Sequence, residues 1–372
     1  MDWRRAEAGT LTDQAQLTFA EQFLKAGEAY FSPTGRWIIF QATPAAGEGE
    51  EASAHYGMYV ARLVRDEGER ITGIEAPILI SAEGSANTCG FFDPVEPWRV
   101  IFGSTLVAPA GVEKSGYQRG SSRYRWSFPR EMEVVRRVVP DIFFDGRSRE
   151  GVETDWAEGE TEARPIFERD GYDAECAYSP DGRHIVYSQV DPETGDSDIF
   201  VLDTRTNVHR PLVVEKGYDG GPFFSPDGAM ICYRSDRRGD DLLQLYIGIL
   251  AYDDTGAILG VKSQRAVTEN RHVNWAPFWH PWQNYLIYAT SEVGHDNYEV
   301  FSTEVPIGTL AEKSPSDLRR KRLTFAAGFD GLPVFSGDGK WMMWTSQRGP
   351  LHAEEEKPSS QLWVARVVET AP

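Results

Sequence analysis

Short apolar runs separated by polar turns fill this chain from end to end, a pattern of many brief strands rather than of long amphipathic helices. One stretch shows the unit clearly. An apolar strand ends at Phe224, the turn Ser225-Pro226-Asp227-Gly228 follows, and a second run, Met230-Ile231-Cys232-Tyr233, begins at once. Proline fixes φ in such a turn and glycine supplies a positive φ, so the two runs read as a hairpin. A polar loop then leads to a third strand, such as Asp198-Ile199-Phe200-Val201-Leu202 or Tyr298-Glu299-Val300-Phe301. A short fourth strand carries a Leu-Thr-like pair, as in Arg322-Leu323-Thr324-Phe325 and Ala266-Val267-Thr268.

The unit repeats. Relatives of the Phe-Ser-Pro-Asp-Gly phrase start at Phe31, Tyr178, Phe224 and Phe335, with degraded copies at Phe92-Asp93-Pro94 and Trp279-His280-Pro281. A four-stranded propeller blade takes roughly 40–45 residues, so each interval between these six anchors holds one blade, and the surplus lies in loops. Pro165 to Asp173 aligns without a gap to Pro211 to Asp219, one blade exit and re-entry written twice. After Val364-Ala365-Arg366-Val367-Val368 the sixth blade lacks its Leu-Thr strand, and Gln16-Leu17-Thr18-Phe19 supplies one from the other end. The predicted fold is all-β: a six-bladed β-propeller of four-stranded blades, a single domain over 1–372. The N-terminal strand completes the last blade, so that no sheet edge stays open. Blade 2 is the longest, with an insert over about 104–165. Met132-Glu133-Val134-Val135 and Asp141-Ile142-Phe143-Phe144 both qualify as its third strand.

Composition narrows the partners. With 372 residues, 41% hydrophobic and 12% aromatic, a packed core is expected. The formal charge of −19 argues against nucleic acid and anionic membrane, whose phosphates need a basic face. Cys89, Cys176 and Cys232 each lie within an apolar run and are expected to be buried free thiols. The start, Met1-Asp2-Trp3-Arg4-Arg5, shows no apolar signal segment, so a cytoplasmic location is expected, or a periplasmic one if the N-terminus has been trimmed.

Repeats of the Phe-Ser-Pro-Asp-Gly type, with Leu-Thr strands and the Gly-Tyr-Asp phrases at 171–173 and 217–219, resemble the TolB-like propellers over almost the whole chain. The resemblance implies the propeller fold. For function it implies either a protein-binding module or a domain of the kind found beside peptidases and lyases. The α/β domain that precedes the propeller in TolB itself has no counterpart in these 372 residues.

Candidate chemistry concentrates where first strands begin, the loop-rich face around a propeller's channel. Five residues before each anchor stand Ala26, Asn87, Asp173, Asp219, Asn274 and Asp330, and two residues further on come Glu28 and Glu175. These side chains either cap the entering strand through backbone N–H groups or form an acid-leaning ring for a cation or a basic group. His55, His272, His295 and His352 fall in loops of the same face without metal-type spacing; no metal or other cofactor is expected. Lys114 to Arg130, in the insert, holds Lys114, Arg119, Arg123, Arg125 and Arg130 and no acid, interleaved with Tyr117, Tyr124, Trp126 and Phe128. Such a loop either grips an anionic or acidic partner, a sugar acid included, or plugs the acidic mouth of its own propeller. The segment Glu150 to Glu162 is acidic and reads as a solvated loop on the opposite face. No nucleophile elbow, phosphate loop or dinucleotide fingerprint is present. The expectation is a non-catalytic scaffold that binds a protein or peptide with the channel mouth and with Arg119, Arg123, Tyr124, Arg125, Trp126 and Arg130. The alternative is a lyase or hydrolase acting on an acidic carbohydrate.

Overall fold

The computed structural model describes residues 2–47, 49, 51–110, 116–119, 124–127, 129–157, 159–351 and 356–372, with 116–119 and 124–127 as backbone alone. Six antiparallel sheets follow one another around a ring. Blade 1 holds Phe23–Phe31, Trp37–Pro44, Gly57–Arg65 and a fourth strand broken into Ile71–Ile74 and Ile78–Leu79. Blade 2 holds Asn87–Phe92, Arg99–Ser104, Glu133–Val138 and Arg164–Pro165. Blade 3 holds Tyr172–Tyr178, His184–Val190, Ser197–Asp203 and Val208–Val213. Blade 4 holds Asp219–Phe224, Met230–Ser235, Gln244–Tyr252 and Ile258–Ala266. Blade 5 holds Asn274–Trp279, Tyr285–Thr290, Glu299–Glu304 and Arg320–Arg322. Blade 6 holds Asp330–Phe335, Trp341–Ser346 and Gln361–Val367, and its fourth strand is Leu11–Gln16. No helix of the described residues is long and apolar enough to cross a membrane.

The repeated phrases are hydrogen-bond devices. In the turn, the serine hydroxyl accepts the N–H that opens the second strand: Trp37 to Ser32, His184 to Ser179, Met230 to Ser225 and Trp341 to Ser336, at 2.9–3.1 Å. Ser179, Ser225 and Ser336 donate in turn to Asp181, Asp227 and Asp338, each at 2.6 Å. The Leu-Thr pair is a clasp on one residue of the third strand. Leu323 N donates to the Val300 carbonyl while Val300 N donates to Thr324 Oγ1, both at 2.8 Å. Val267-Thr268 clasps Leu245 in the same way, and Ile80-Ser81 clasps Met58.

Ring closure uses this clasp. Leu17 N donates to the Leu362 carbonyl, and Leu362 N donates to Thr18 Oγ1. The ladder itself lies upstream of the expected Gln16–Phe19 segment, running from Leu11 against Val367 to Gln16 against Trp363. The reason is general: the Leu-Thr pair follows the fourth strand, as Val267-Thr268 follows Ile258–Ala266. A short helix α1 (Trp3–Glu7) adds a buried bolt, since Arg348 bonds Glu7 at 2.8 and 3.1 Å and Asp330 at 2.7 Å, while Phe325 N donates to Glu7.

In blade 2 the third strand is Glu133–Val138, whereas Asp141–Phe144 belongs to a helix, α2 (Pro140–Phe144). Pro140 decides this, because its locked φ and missing N–H suit a first helical turn. The acidic segment after α2 is anchored rather than wholly solvated: Trp156 packs edge-on against Phe143 at 4.8 Å, while residues 151–155 are exposed.

Candidate functional site

First strands line the central channel, and each carries the same distortion. The pairing with the second strand slips at one equivalent position in every blade, at Glu28, Cys89, Glu175, Gly221, Ala276 and Leu332, where φ lies between 43° and 59°. Five of the six are not glycine, so each pays for a left-handed backbone that only the surrounding sheet can enforce. A bulge reverses which side chain faces the axis. Glu28, Cys89, Glu175, Ala276 and Leu332 therefore line the centre of the channel with Arg234.

Arg234 comes from the second strand of blade 4 and occupies the space a side chain at Gly221 would fill, where a Cβ would collide with its guanidinium. It bonds Glu175 at 2.6 Å and the Tyr218 hydroxyl at 2.7 Å. Glu175 also accepts from Tyr218 at 2.7 and 2.8 Å, from Ser188 at 2.9 Å and from Gly221 N at 2.7 Å. Burial, the largest single influence, would lower the Arg234 pKa, but Glu175, Tyr218, Cys89 and Glu28 together outweigh it and raise it. Glu28, to which Tyr30 donates at 3.2 Å, is raised by burial. Burial also raises the Cys89 thiol well above its ordinary range, the opposite of what a nucleophilic cysteine needs. The open space among these groups is about 20 Å³, room for about one water.

Below this layer the channel is stopped by aromatic rings. Tyr30 lies 5.4 Å from Phe91 and 5.6 Å from Phe223, and Phe278 lies 5.2 Å from Phe223. These residues stand two positions after the bulge in their blades, so the repeat itself builds the stopper.

The expected polar ring divides. Glu28 and Glu175 reach the channel centre, whereas Asn87, Asp173, Asp219, Asn274 and Asp330 are buried at the start of first strands and do not line that space. Asn87 donates to the Tyr56 carbonyl at 2.9 Å and Asn274 to Gln244 at 3.1 Å, both on the preceding blade. Asp219 accepts from Arg237 at 2.8 Å, and Asp330 from Trp344 Nε1 at 3.0 Å as well as from Arg348. Neither oxygen of Asp173 has a hydrogen-bond partner among the described residues. Burial and the neighbouring Glu133 carboxylate push Asp173 up to about 7, and Glu133 is pushed up to about 7 chiefly by burial. Among the described residues no three His, Cys, Asp or Glu side chains converge as metal ligands; His295 is exposed, and His352 lies outside those residues.

The insert leaves the upper, loop-rich end of blade 2. The backbone of Gly116–Arg119 pairs with Tyr124–Ser127 as a hairpin. The side chains of Arg119, Tyr124, Arg125 and Trp126, and Arg123 altogether, lie outside the described residues. Arg130 donates to the Pro192 carbonyl at 3.3 Å. The sequence reading missed Arg234, Tyr218 as its partner, and the aromatic stopper. An arginine ending the apolar run Met230–Tyr233, opposite a Gly-Gly pair at 220–221, was the available signal.

Six four-stranded blades around a channel closed at its middle define a β-propeller. The fold is TolB-like. A putative TolB from Agrobacterium tumefaciens is 14% identical with a TM-score of 0.51, over 92% of this chain and 90% of that one. TolB from Acinetobacter baumannii is 12% identical with a TM-score of 0.51, over 94% of this chain and 65% of that one. An oligogalacturonate lyase from Vibrio parahaemolyticus is 10% identical with a TM-score of 0.46, over 94% of this chain and 92% of that one. No family model matches the sequence, and no curated protein matches it.

Proposed function

We propose that residues 1–372 act as one propeller domain and serve as a non-catalytic scaffold, which holds a protein or peptide on the upper face. The contact surface is the channel mouth together with the blade 2 insert, whose arginines meet acidic groups of the partner. The observation that carries this reading is the state of the channel centre. Its Glu175 carboxylate and Arg234 guanidinium already bond one another, its Glu28 carboxylate accepts from Tyr30, its thiol is held protonated, and about 20 Å³ is left beside them. An active site needs convergent polar groups with room for a substrate. Recognition then falls to the loops, which carry the basic and aromatic residues of Lys114 to Arg130.

The test is affinity capture from the native organism with wild type and with Arg123→Glu/Arg125→Glu. The expected result is a partner held by wild type, in a salt-sensitive manner, and lost from the variant at an unchanged melting temperature. Loss of stability without loss of any partner would mean the insert is a plug. Turnover of a uronate oligosaccharide by the wild type would replace the scaffold with the enzymatic reading.

A further inference from the structure

The larger cavity lies on the opposite face. Below the aromatic stopper the channel widens into a well of about 220 Å³. Phe91, Phe223 and Phe278 form its floor, each partly exposed, and Pro33, Pro94, Pro180, Pro226 and Pro281 stand around its wall, with Gly337 in the sixth place. The turns that carry these residues make a collar. A Cβ at Gly182 would stand 3.2 Å from Val95, one at Gly228 3.8 Å from Pro180, and one at Gly339 3.3 Å from Pro281. On the same turns Trp282 is 74% exposed and Val95 64% exposed, so the apolar surface continues over the rim.

Charge on the rim is uneven. Four cations of these turns are committed: Arg36 to Asp145, Arg99 to Glu96, Arg183 to Asp203 and Lys340 to Asp338. Asp93, Asp181 and Asp227 are chain neighbours of the wall residues Pro94, Pro180 and Pro226 on three consecutive blades. Each accepts backbone N–H groups of its own turn, and none is ion-paired among the described residues. An acidic arc thus flanks an apolar well on one side.

We propose that this well is a second binding site, which takes an aromatic side chain of a partner protein with basic residues beside it in sequence. An apolar cavity of about 150 Å³ already accepts a benzene ring, so this one admits an indole or phenol. The floor rings sit 5.2 and 6.0 Å apart, and an incoming ring continues that cluster at the same spacing while covering phenyl surface now facing water. The arc lies outside the well, so the occupant must span both. A peptide does this with one anchor and its charged neighbours. The site shares only the stopper rings Phe223 and Phe278 with the channel centre above, and it stands whether or not the upper face binds a partner.

The probe is an acetylated, amidated pentapeptide of four lysines around a central tryptophan, titrated by calorimetry. The expected result is binding about tenfold tighter than the same peptide with central alanine, and about tenfold tighter than one with glutamates in place of the lysines. Gly337→Phe places a ring in the well where a Cβ meets nothing closer than 3.8 Å, and is expected to weaken binding about tenfold at an unchanged melting temperature. Pro33→Arg, on the exposed wall, is the second variant and is expected to do the same by filling and charging the mouth. Equal affinity for the tryptophan and alanine peptides, no binding at about 1 mM, or undiminished binding by both variants overturns the proposal.

Discussion

At the scale of single residues, the six bulges show how one backbone position takes five different side chains. Where the bulge residue is Glu175, its charge is met by Arg234, which itself fits only because the next bulge is Gly221. Arg234→Met should therefore cost about 3–5 kcal/mol, because it leaves Glu175 buried without its cation. The double variant Glu175→Gln/Arg234→Met should recover a large part of that loss; urea unfolding of the three proteins measures both. Asp173 and Glu133 make a different case. Each is protonated below about 7 in the folded chain but only below about 4 when unfolded. The folded state thus binds more protons between those limits, and the pair's contribution to stability falls as pH rises through that window and is constant above it. Asp173→Asn should be more stable than wild type at pH 8 by of order 2 kcal/mol and gain little at pH 4. Denaturant midpoints at the two pH values decide it, and an advantage that does not grow with pH would sink the pairing.

At the scale of elements, the Leu-Thr clasp explains why a hydroxyl follows the fourth strand. Thr324→Val keeps the shape and removes the acceptor of Val300 N–H, an orphaned buried donor worth about 1–3 kcal/mol in melting or urea experiments. A variant as stable as wild type would show that the hydroxyl is dispensable. The Ser-Pro-Asp-Gly turns were legible in the sequence because three of their residues act locally, within one hairpin. Ile80-Ser81 makes the same clasp and went unread, since only its hydroxyl, not its letters, matches Leu-Thr. The bulges were illegible for a related reason. Positive φ is normally announced by glycine or asparagine, and of Glu28, Cys89, Glu175, Gly221, Ala276 and Leu332 only one complies. Of the channel site, Glu28 and Glu175 could be placed by counting from the anchors. Arg234 could not, because its contact joins the second strand of one blade to the first strand of another.

At the scale of the whole molecule, stability rests on the junction between Leu11–Gln16 and Gln361–Val367, backed by Glu7, Arg348 and Asp330. Deleting residues 1–20 should open the edge of blade 6, strip Leu11 and Leu17 from the core, and give aggregation or a large drop in melting temperature. A truncated protein that stays monomeric and melts like wild type would contradict that role. The same junction sets a clock. Its two strands are separated by about 350 residues of chain, which a ribosome adding about 5–20 residues per second needs roughly 20–70 seconds to deliver. Blades 1 to 5 can collapse during synthesis, each on its predecessor, while the earliest strand waits without a neighbour. The ring is thus finished only once Gln361–Val367 has emerged, and a slow translator prolongs the time for which Leu11–Gln16 stays unpaired.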